Sequence, residues 1–324
     1  MVKHHCKSWG WAYAMAILVV VTIVIVFPIL YVAFPNKAQD AINRAELIVT
    51  SQSILSPSMN SFYLEQATVF ATNSSDSASL DQWEGILCLA PECLYPFARI
   101  PVPSAQAENG TQIQISNVTE IINMAPFNNY TRLALESDRY SIYLQGSGKL
   151  HKGAWPATTV AYNKNITMRG LNALKGFNVT AFHIINPALA DGTNANGTIH
   201  IPNPSVSQFE LGDLTLNMSV NGMSIGTATL PNVFIAAGNN SIPMTAVTNQ
   251  TAVAGLVLGP YKSGVLPIDM VATSVTYDGQ RIPWYEQALG AVPLRVDLDV
   301  IPALQESGLA GMLGLGTPPS GVST

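Results

Sequence analysis

Over most of the chain apolar residues recur at every second position, and Gly, Pro and Asn interrupt them about every ten residues. That is the signature of short antiparallel strands. In DLTLNMSVNG, Leu214, Leu216, Met218 and Val220 share one face and Thr215, Asn217 and Ser219 the other. The same alternation runs through GTQIQIS (Ile113, Ile115), RYSIYLQ (Tyr140, Ile142, Leu144), NITM (Ile166, Met168) and PLRVDLDV (Leu294, Val296, Leu298, Val300), and it predicts half-buried strands. From Gly197 to Asn249 the pattern reads as a meander reversing at Asn221-Gly222 and at Gly238-Asn239-Asn240. Pro202 and Pro204 cannot donate to a ladder and belong on an edge or at a bulge. NVTEIIN and WYEQALGA each have room for a turn or two of helix, and long helical patterns are absent. The expected class is mainly β, with one or two antiparallel sandwiches.

One segment departs from this rhythm. From Ser8 to Asn36 no residue is charged, and WGWAYAMAILVVVTIVIVFPILYVAF is long enough to cross a bilayer as a helix. Trp9, Trp11 and Tyr13 would lie at one interface and Tyr31 at the other. Pro28 removes one backbone donor and predicts a kink or loosening near the second interface. A cleaved signal peptide fits less well, because its apolar core is shorter and ends in a small-x-small site.

Flanking charge leaves the orientation nearly tied: Lys3 and Lys7 precede the span, Lys37 and Arg44 follow it. Ten Asn-x-Ser/Thr sequons break the tie. They start at Asn73, Asn109, Asn117, Asn129, Asn165, Asn178, Asn196, Asn217, Asn239 and Asn249, all after the span. Ser and Thr make up about 15% of the chain, so its 23 Asn residues would give roughly three or four such triplets by chance. The reading is a signal-anchored, single-pass type II protein with its bulk lumenal or extracellular. Cys6, just before the span, reads as a free cytosolic thiol or a palmitoylation site.

The net charge of −5, with only 11% charged residues and no basic stripe, excludes nucleic acid as a partner. Glycans would supply the hydration that so sparsely charged a surface lacks. Cys88 and Cys93 are the only cysteines after the span, and in an oxidising compartment they read as one local disulfide beside Pro91.

Candidate chemistry is thin. Gly222-Met223-Ser224-Ile225-Gly226 satisfies G-x-S-x-G, but a nucleophile elbow needs a helix after Ser224, and TATLPNVFI reads as strand. His151, His183 and His200 have no metal-ligand spacing and no acid beside them in sequence to orient them as bases. Asp297 and Asp299 share a strand face, yet two carboxylates fall short of the six or more oxygens of a calcium site; Asp213 reads as a turn residue. No catalytic, cofactor-binding or metal residue is assigned, and no enzyme activity is expected.

The run IPNPS...LGDLTLNMSVNGMSIGTATLPN...AGNNSIPM resembles the fungal, membrane-anchored members of the late-embryogenesis-abundant type 2-like superfamily. Asn203-Pro204 stands before one strand and Gly222 to Gly226 after the next. AELIVTSQSILSPSMNSFYLEQATVF looks like the opening of such a domain. The resemblance implies fibronectin-like sandwiches behind one span and a vacuolar membrane as home, the plasma membrane or endoplasmic reticulum being alternatives; some relatives are associated with ending autophagy. The expected division is 1–8 cytosolic tail, 9–34 transmembrane helix, 35–46 stalk, 47–165 first sandwich, 166–302 second sandwich, and 303–324 disordered tail, within which Leu309 to Leu315 could instead fold back on the bilayer or the sandwich. Two roles fit without catalysis: a scaffold or regulator binding another membrane protein, and a lipid-handling module whose sheets part to form an apolar cleft. The partners are the bilayer, through residues 9–34, and either a membrane protein or a lipid.

Overall fold

The computed structural model describes residues 5–74 and 77–314. The first four residues of the expected cytosolic tail, the side chain of Cys6 and residues 315–324 of the expected disordered tail lie outside that description.

The fold is mainly β, sandwich-like, with one apolar helix at the N-terminus. Helix α1 (His5–Val21) continues through π-helical turns at Thr22–Val26 and Ile29–Ala33 into α2 (Phe34–Arg44). The two π turns flank Pro28, where the missing N–H forces the ladder to readjust. The apolar part is long enough to cross a membrane and is almost wholly unburied, which is compatible with membrane anchoring.

The expected stalk at 35–46 is instead the docked last part of this helix. Phe34, Ala38 and Ile42, spaced i, i+4, i+8, form an apolar stripe buried against the sheet. Burying Phe34 and Ile42 contributes about 1.5–3 kcal/mol each.

The strands fall into two ladders. The lower one contains β1 (Glu46–Leu55), β2 (Ser61–Ala71), β3 (Ser79–Leu80), β4 (Trp83–Cys88), β5 (Pro96–Val102), β6 (Ala105–Gln106), β7 (Thr111–Ile121), then helix α3 (Met124–Glu136), β8 (Arg139–His151) and β9 (Thr158–Arg169). Its main order is β1-β2-β7-β5-β4-β8-β9, curled until β9 returns against β1. The upper ladder has β10 (Asn178–Ile184), β11 (Ala195–Asn203), β12 (Ser207–Val220), β13 (Met223–Ile235), β14 (Gly238–Thr248), helix α4 (Gln250–Leu258), β15 (Val265–Tyr277), β16 (Gln280–Arg281), helix α5 (Pro283–Gly290) and β17 (Leu294–Asp299). It runs β10-β11-β14-β13-β12-β15-β17 and curls until β10 approaches β17. Helices α6 (Ile301–Glu306) and α7 (Leu309–Met312) follow.

A short parallel pairing joins the ladders: Gln52, Ser53 and Ile54 of β1 against Ser207, Gln208 and Phe209 of β12. Below it, Leu47 pairs with Phe70, and Thr72 and Ser74 beyond β2 line the same small cleft as Phe34 and Lys37. β1 therefore leaves the helix exit and climbs away from it. Because β12 runs parallel to β1, it climbs further still. The join is a waist where α3 packs on α5. There Trp284 is 1% exposed, edge-on to Phe127 at 5.2 Å between centroids, and its indole N–H donates to Ser58 O at 2.8 Å.

Several expectations need correction. A boundary at 165/166 would divide β9, which pairs with β8 along its length, so the lower half runs to Arg169. NVTEI belongs to β7, and the helix starts only at Met124, where the Asn123 side chain caps it by accepting from Ala125 N at 3.3 Å. WYEQALG does form helix, as α5. Helix α4 was not foreseen; Asn249 caps it from Ala252 N at 3.0 Å. Residues 303–314 include the rest of α6 and all of α7, with Ala303, Leu304 and Ala310 buried, because Leu304 and its neighbours fold onto the upper ladder rather than into solvent. Pro202 sits where the β10–β11 pairing has already stopped, at His200.

Candidate functional site

Inside the upper curl the inward residues of six strands do not meet, Ile225 of β13 among them. Phe182 and Ile184 of β10, Met218 of β12, Met244 of β14, Ile268 and Met270 of β15 and Leu298 of β17 surround a cavity of about 320 Å³. The alternation of β12 and β15 supplies this lining, and the short side chains of Thr251 and Ala254 on α4 leave room at the roof. Leu304, Leu309 and Leu313 line the remaining side. None of the lining residues is titratable; the polar ones are Thr248, Gln250 and Thr251, grouped at the α4 end. Thr248 is held by Asn194, its hydroxyl donating to Oδ1 at 2.9 Å and its N–H to the same atom at 2.8 Å. The volume is at the low end of the roughly 300–1,000 Å³ of ligand pockets. Such a lining can hold an apolar chain by dispersion and burial, and it offers no acid, base or nucleophile.

The α6–α7 segment covers the seam between β10 and β17. Asp299 starts it by accepting from Ile301 N at 3.0 Å, and Glu306 fastens it to β10 through His183 Nδ1 at 2.8 Å. Because β12 climbs from the waist, Met218 and the cavity lie at the end remote from the helix exit. The path along β1 and β12, from Glu46 to Met218, is about 56 Å at ~3.3 Å per residue.

The sequence-derived candidates are scattered. Ser224 lies exposed on β13, directly after the hairpin turn, donating to Asn217 Oδ1 at 3.3 Å; a strand follows it, so the elbow geometry is missing. Two of the three histidines meet acids that are distant in sequence. His151 Nε2 is 2.9 Å from Asp81 Oδ2, and His183 meets Glu306; these pairs are 70 and 123 residues apart in sequence, out of reach of local inspection. All four side chains are about half exposed. His200 is half-buried on β11. Asp297 and Asp299 point to solvent from β17, Asp299 spent on its cap, and Asp213 Oδ1 accepts from Asn232 N at 2.9 Å. Among the described residues no group of three or more His, Cys, Asp or Glu is placed to hold a metal ion.

Cys88 and Cys93 are bonded, with Cα atoms 5.1 Å apart. Asn73, Asn109, Asn117, Asn129, Asn165, Asn178, Asn196, Asn239 and Asn249 are exposed; Asn217, on a central strand, is half-buried. Asn109, Asn117, Asn178, Asn217 and Asn249 each accept a hydrogen bond through Oδ1, the oxygen and not the nitrogen to which a glycan attaches. Asn249 stands beside Thr248, Gln250 and Thr251 at the roof of the cavity.

Sequence reasoning expected an apolar cleft between parted sheets, close to the bilayer, and missed where the cavity lies and which residues line it. Its signal was the apolar α4 run TAVAGLVL following a strand of the same meander, with LAGML after the last strand: two apolar segments without an alternating partner.

Residues 95–218 match the family described as a protein of unknown function (DUF3712), less than half of the chain and reaching from β5 across the waist to Met218. No curated protein matches. Among solved structures, red sea bream transglutaminase is similar at 12% identity and a TM-score of 0.22, over 76% of this chain and 31% of that one. The periplasmic chaperone SfaE is similar at 9% identity and a TM-score of 0.17, over 78% and 100%. S. aureus TarS is similar at 7% and 0.21, over 63% and 35%. The chain thus spans about a third of the length of the transglutaminase.

Proposed function

We propose that the chain is a membrane-anchored, glycan-coated module without catalytic activity that holds an apolar ligand, the size of a single acyl chain, in the upper sandwich. The cavity carries this reading: a partly open apolar volume lined by Met218, Met244, Ile268, Met270 and Leu298, with its few polar groups together at one end. We take the far side of the membrane to be lumenal, because all ten sequons follow the span, and the vacuolar membrane that the resemblance implies as the compartment to tag first.

The test uses the glycosylated full chain in nanodiscs and a diazirine-bearing palmitate. Crosslinks are expected within 244–270 and 298–313, and they should vanish in Ala254→Trp, which fills the roof. Crosslinks confined to the N-terminal helix, or unchanged in Ala254→Trp, would sink the proposal.

The scaffold reading has one observation in its favour, the rigid mount of the helix on the lower sandwich through Phe34, Ala38 and Ile42. A presenter of a fixed surface needs such a mount. Proximity labelling from the lumenal side should then return a reproducible membrane partner whose labelling does not depend on Ala254.

A further inference from the structure

Three contacts rise in step along the helix exit and β9. The rings of Phe34 and Trp155 lie 5.0 Å apart; Gln39 exchanges two hydrogen bonds with Ala161, Nε2 to its carbonyl and Oε1 from its N–H, both 2.8 Å; the Lys164 ammonium reaches the carbonyls of Ile42, Asn43 and Ala45. Positions 34, 39 and 42 thus match 155, 161 and 164 in ascending order. β9 climbs beside α2, and the turn joining β8 to β9, residues 152–157, is the lowest part of the sandwich at this helix.

The height of that turn follows from the helix. Tyr13 to Tyr31 covers about 27 Å at 1.5 Å per residue, close to the ~30 Å of hydrocarbon. Phe34 is three residues further, about 4.5 Å, inside the headgroup layer that adds roughly 5–7 Å on each side. Trp155 is at the same level, and it is 41% exposed although one face rests on Phe34. Among the described residues Phe34 is its only ring neighbour, so a large amphipathic side chain stays partly open at the depth where Trp and Tyr concentrate in membrane proteins.

Resting on the reading of residues 9–34 as a span, we propose that the β8–β9 turn, through Trp155, is a second contact with the bilayer, lying among the lipid headgroups beside the helix. The occupant of the exposed Trp155 face is lipid, because the surface continues directly from the lipid-facing side of the helix, where Tyr31 is 55% exposed. With two contacts the exterior part has a fixed tilt, and the cavity points away from its own membrane.

The experiment uses the full chain in phosphatidylcholine nanodiscs, with Cys6→Ser and one new cysteine carrying an environment-sensitive fluorophore; the bonded Cys88 and Cys93 do not label. A probe at Ala154→Cys, which keeps Trp155 in place, should be quenched by headgroup-proximal spin-labelled lipid several-fold more than a probe at Val118→Cys, high on β7, and Trp155→Gln should reduce that quenching. A probe at Ile23→Cys reports the span. Quenching at 23 but water-like behaviour at 154 overturns the proposal and leaves the span intact; loss of quenching at both positions overturns both.

Discussion

Lys164 on β9 donates its ammonium to the carbonyl oxygen of Ile42 in the last turn of α2, and to those of Asn43 and Ala45. The Ile42 carbonyl also accepts from Ala45 N at 3.1 Å, at the last turn where the helix runs out of N–H donors, and a cation at a helix C-terminus also meets the negative end of its dipole. The side chain is 5% exposed; burial pushes its pKa down while the charge of Glu46 pushes it back up. One residue from the sandwich thereby ties the end of the apolar helix to the strands.

Replacing Lys164 by Met keeps most of the stem's volume and removes the ammonium from the carbonyls of Asn43 and Ala45, leaving Ile42 O only the Ala45 N–H. The expected loss is about 1.5–3 kcal/mol of stability. Urea unfolding of the full chain in nanodiscs checks it, together with faster proteolysis near Arg44; an unchanged midpoint would show that water satisfies the carbonyls equally well.

Trp83 of β4 lies over β8 where two glycines make room, stacked on Tyr162 at 4.6 Å. A Cβ at Gly146 would fall 2.1 Å from the Trp83 ring and 2.8 Å from Glu84 O. Gly146→Ala should cost about 1–3 kcal/mol or more, as overpacking against a backbone atom cannot relax. Gly255, in α4 with nothing within 4 Å, is the counterpart: Gly255→Ala should stabilise by up to about 1 kcal/mol. Thermal unfolding of the two variants should move in opposite directions.

The waist depends on Trp284. Trp284→Phe removes the bond to Ser58 O and should cost about 1 kcal/mol; Trp284→Ala also empties the space between Phe62 and Phe127 and should cost about 3–5 kcal/mol. If both variants lost the same amount, packing at the waist would count for nothing.

Glu286 gives the waist an acid limit. Hydrogen bonds from Arg281 hold its carboxyl below the usual range, with Val275 N adding to this and burial opposing it. The unfolded chain therefore takes up a proton first as pH falls. The stability from this carboxylate is complete above the ordinary Glu value of about 4.3 and is lost as pH drops through the lower folded-state value. Glu286→Gln should be less stable than the parent near neutrality and should lose less of its stability on acidification, measured by urea midpoints at about pH 6 and about pH 3.

The strands were legible because each carries its own period: Leu214 to Val220, Tyr140 to Leu144 and Ile166 to Met168 are buried as their alternation requires. The docked helix end was legible too, in the Phe34, Ala38, Ile42 stripe, but Asn36 and the charges of Lys37, Asp40 and Arg44 disguised it as a polar stalk. Helix α3 was hidden because its apolar positions, Phe127, Tyr130 and Ala134, directly follow a strand ending in Ile121. An apolar cleft between the sheets was expected as one of two roles, but its place could not be read. It is a gap among residues that are each correctly placed, and only their separation across the curl, from Phe182 to Leu298, reveals it. The His183–Glu306 and His151–Asp81 pairs likewise depend on long-range closure.

β12 borders β13 along one side, while its other side is divided between β1 at Ser207–Phe209 and β15 from Asp213 upward. Neither storey is therefore a detachable cassette. A fragment beginning at Asn178 would display three unclaimed rungs on β12, an open template for a foreign strand, and one ending at Arg169 would bare the same rungs on β1. Pieces of this protein made separately should find each other, or themselves, before they behave as independent bodies.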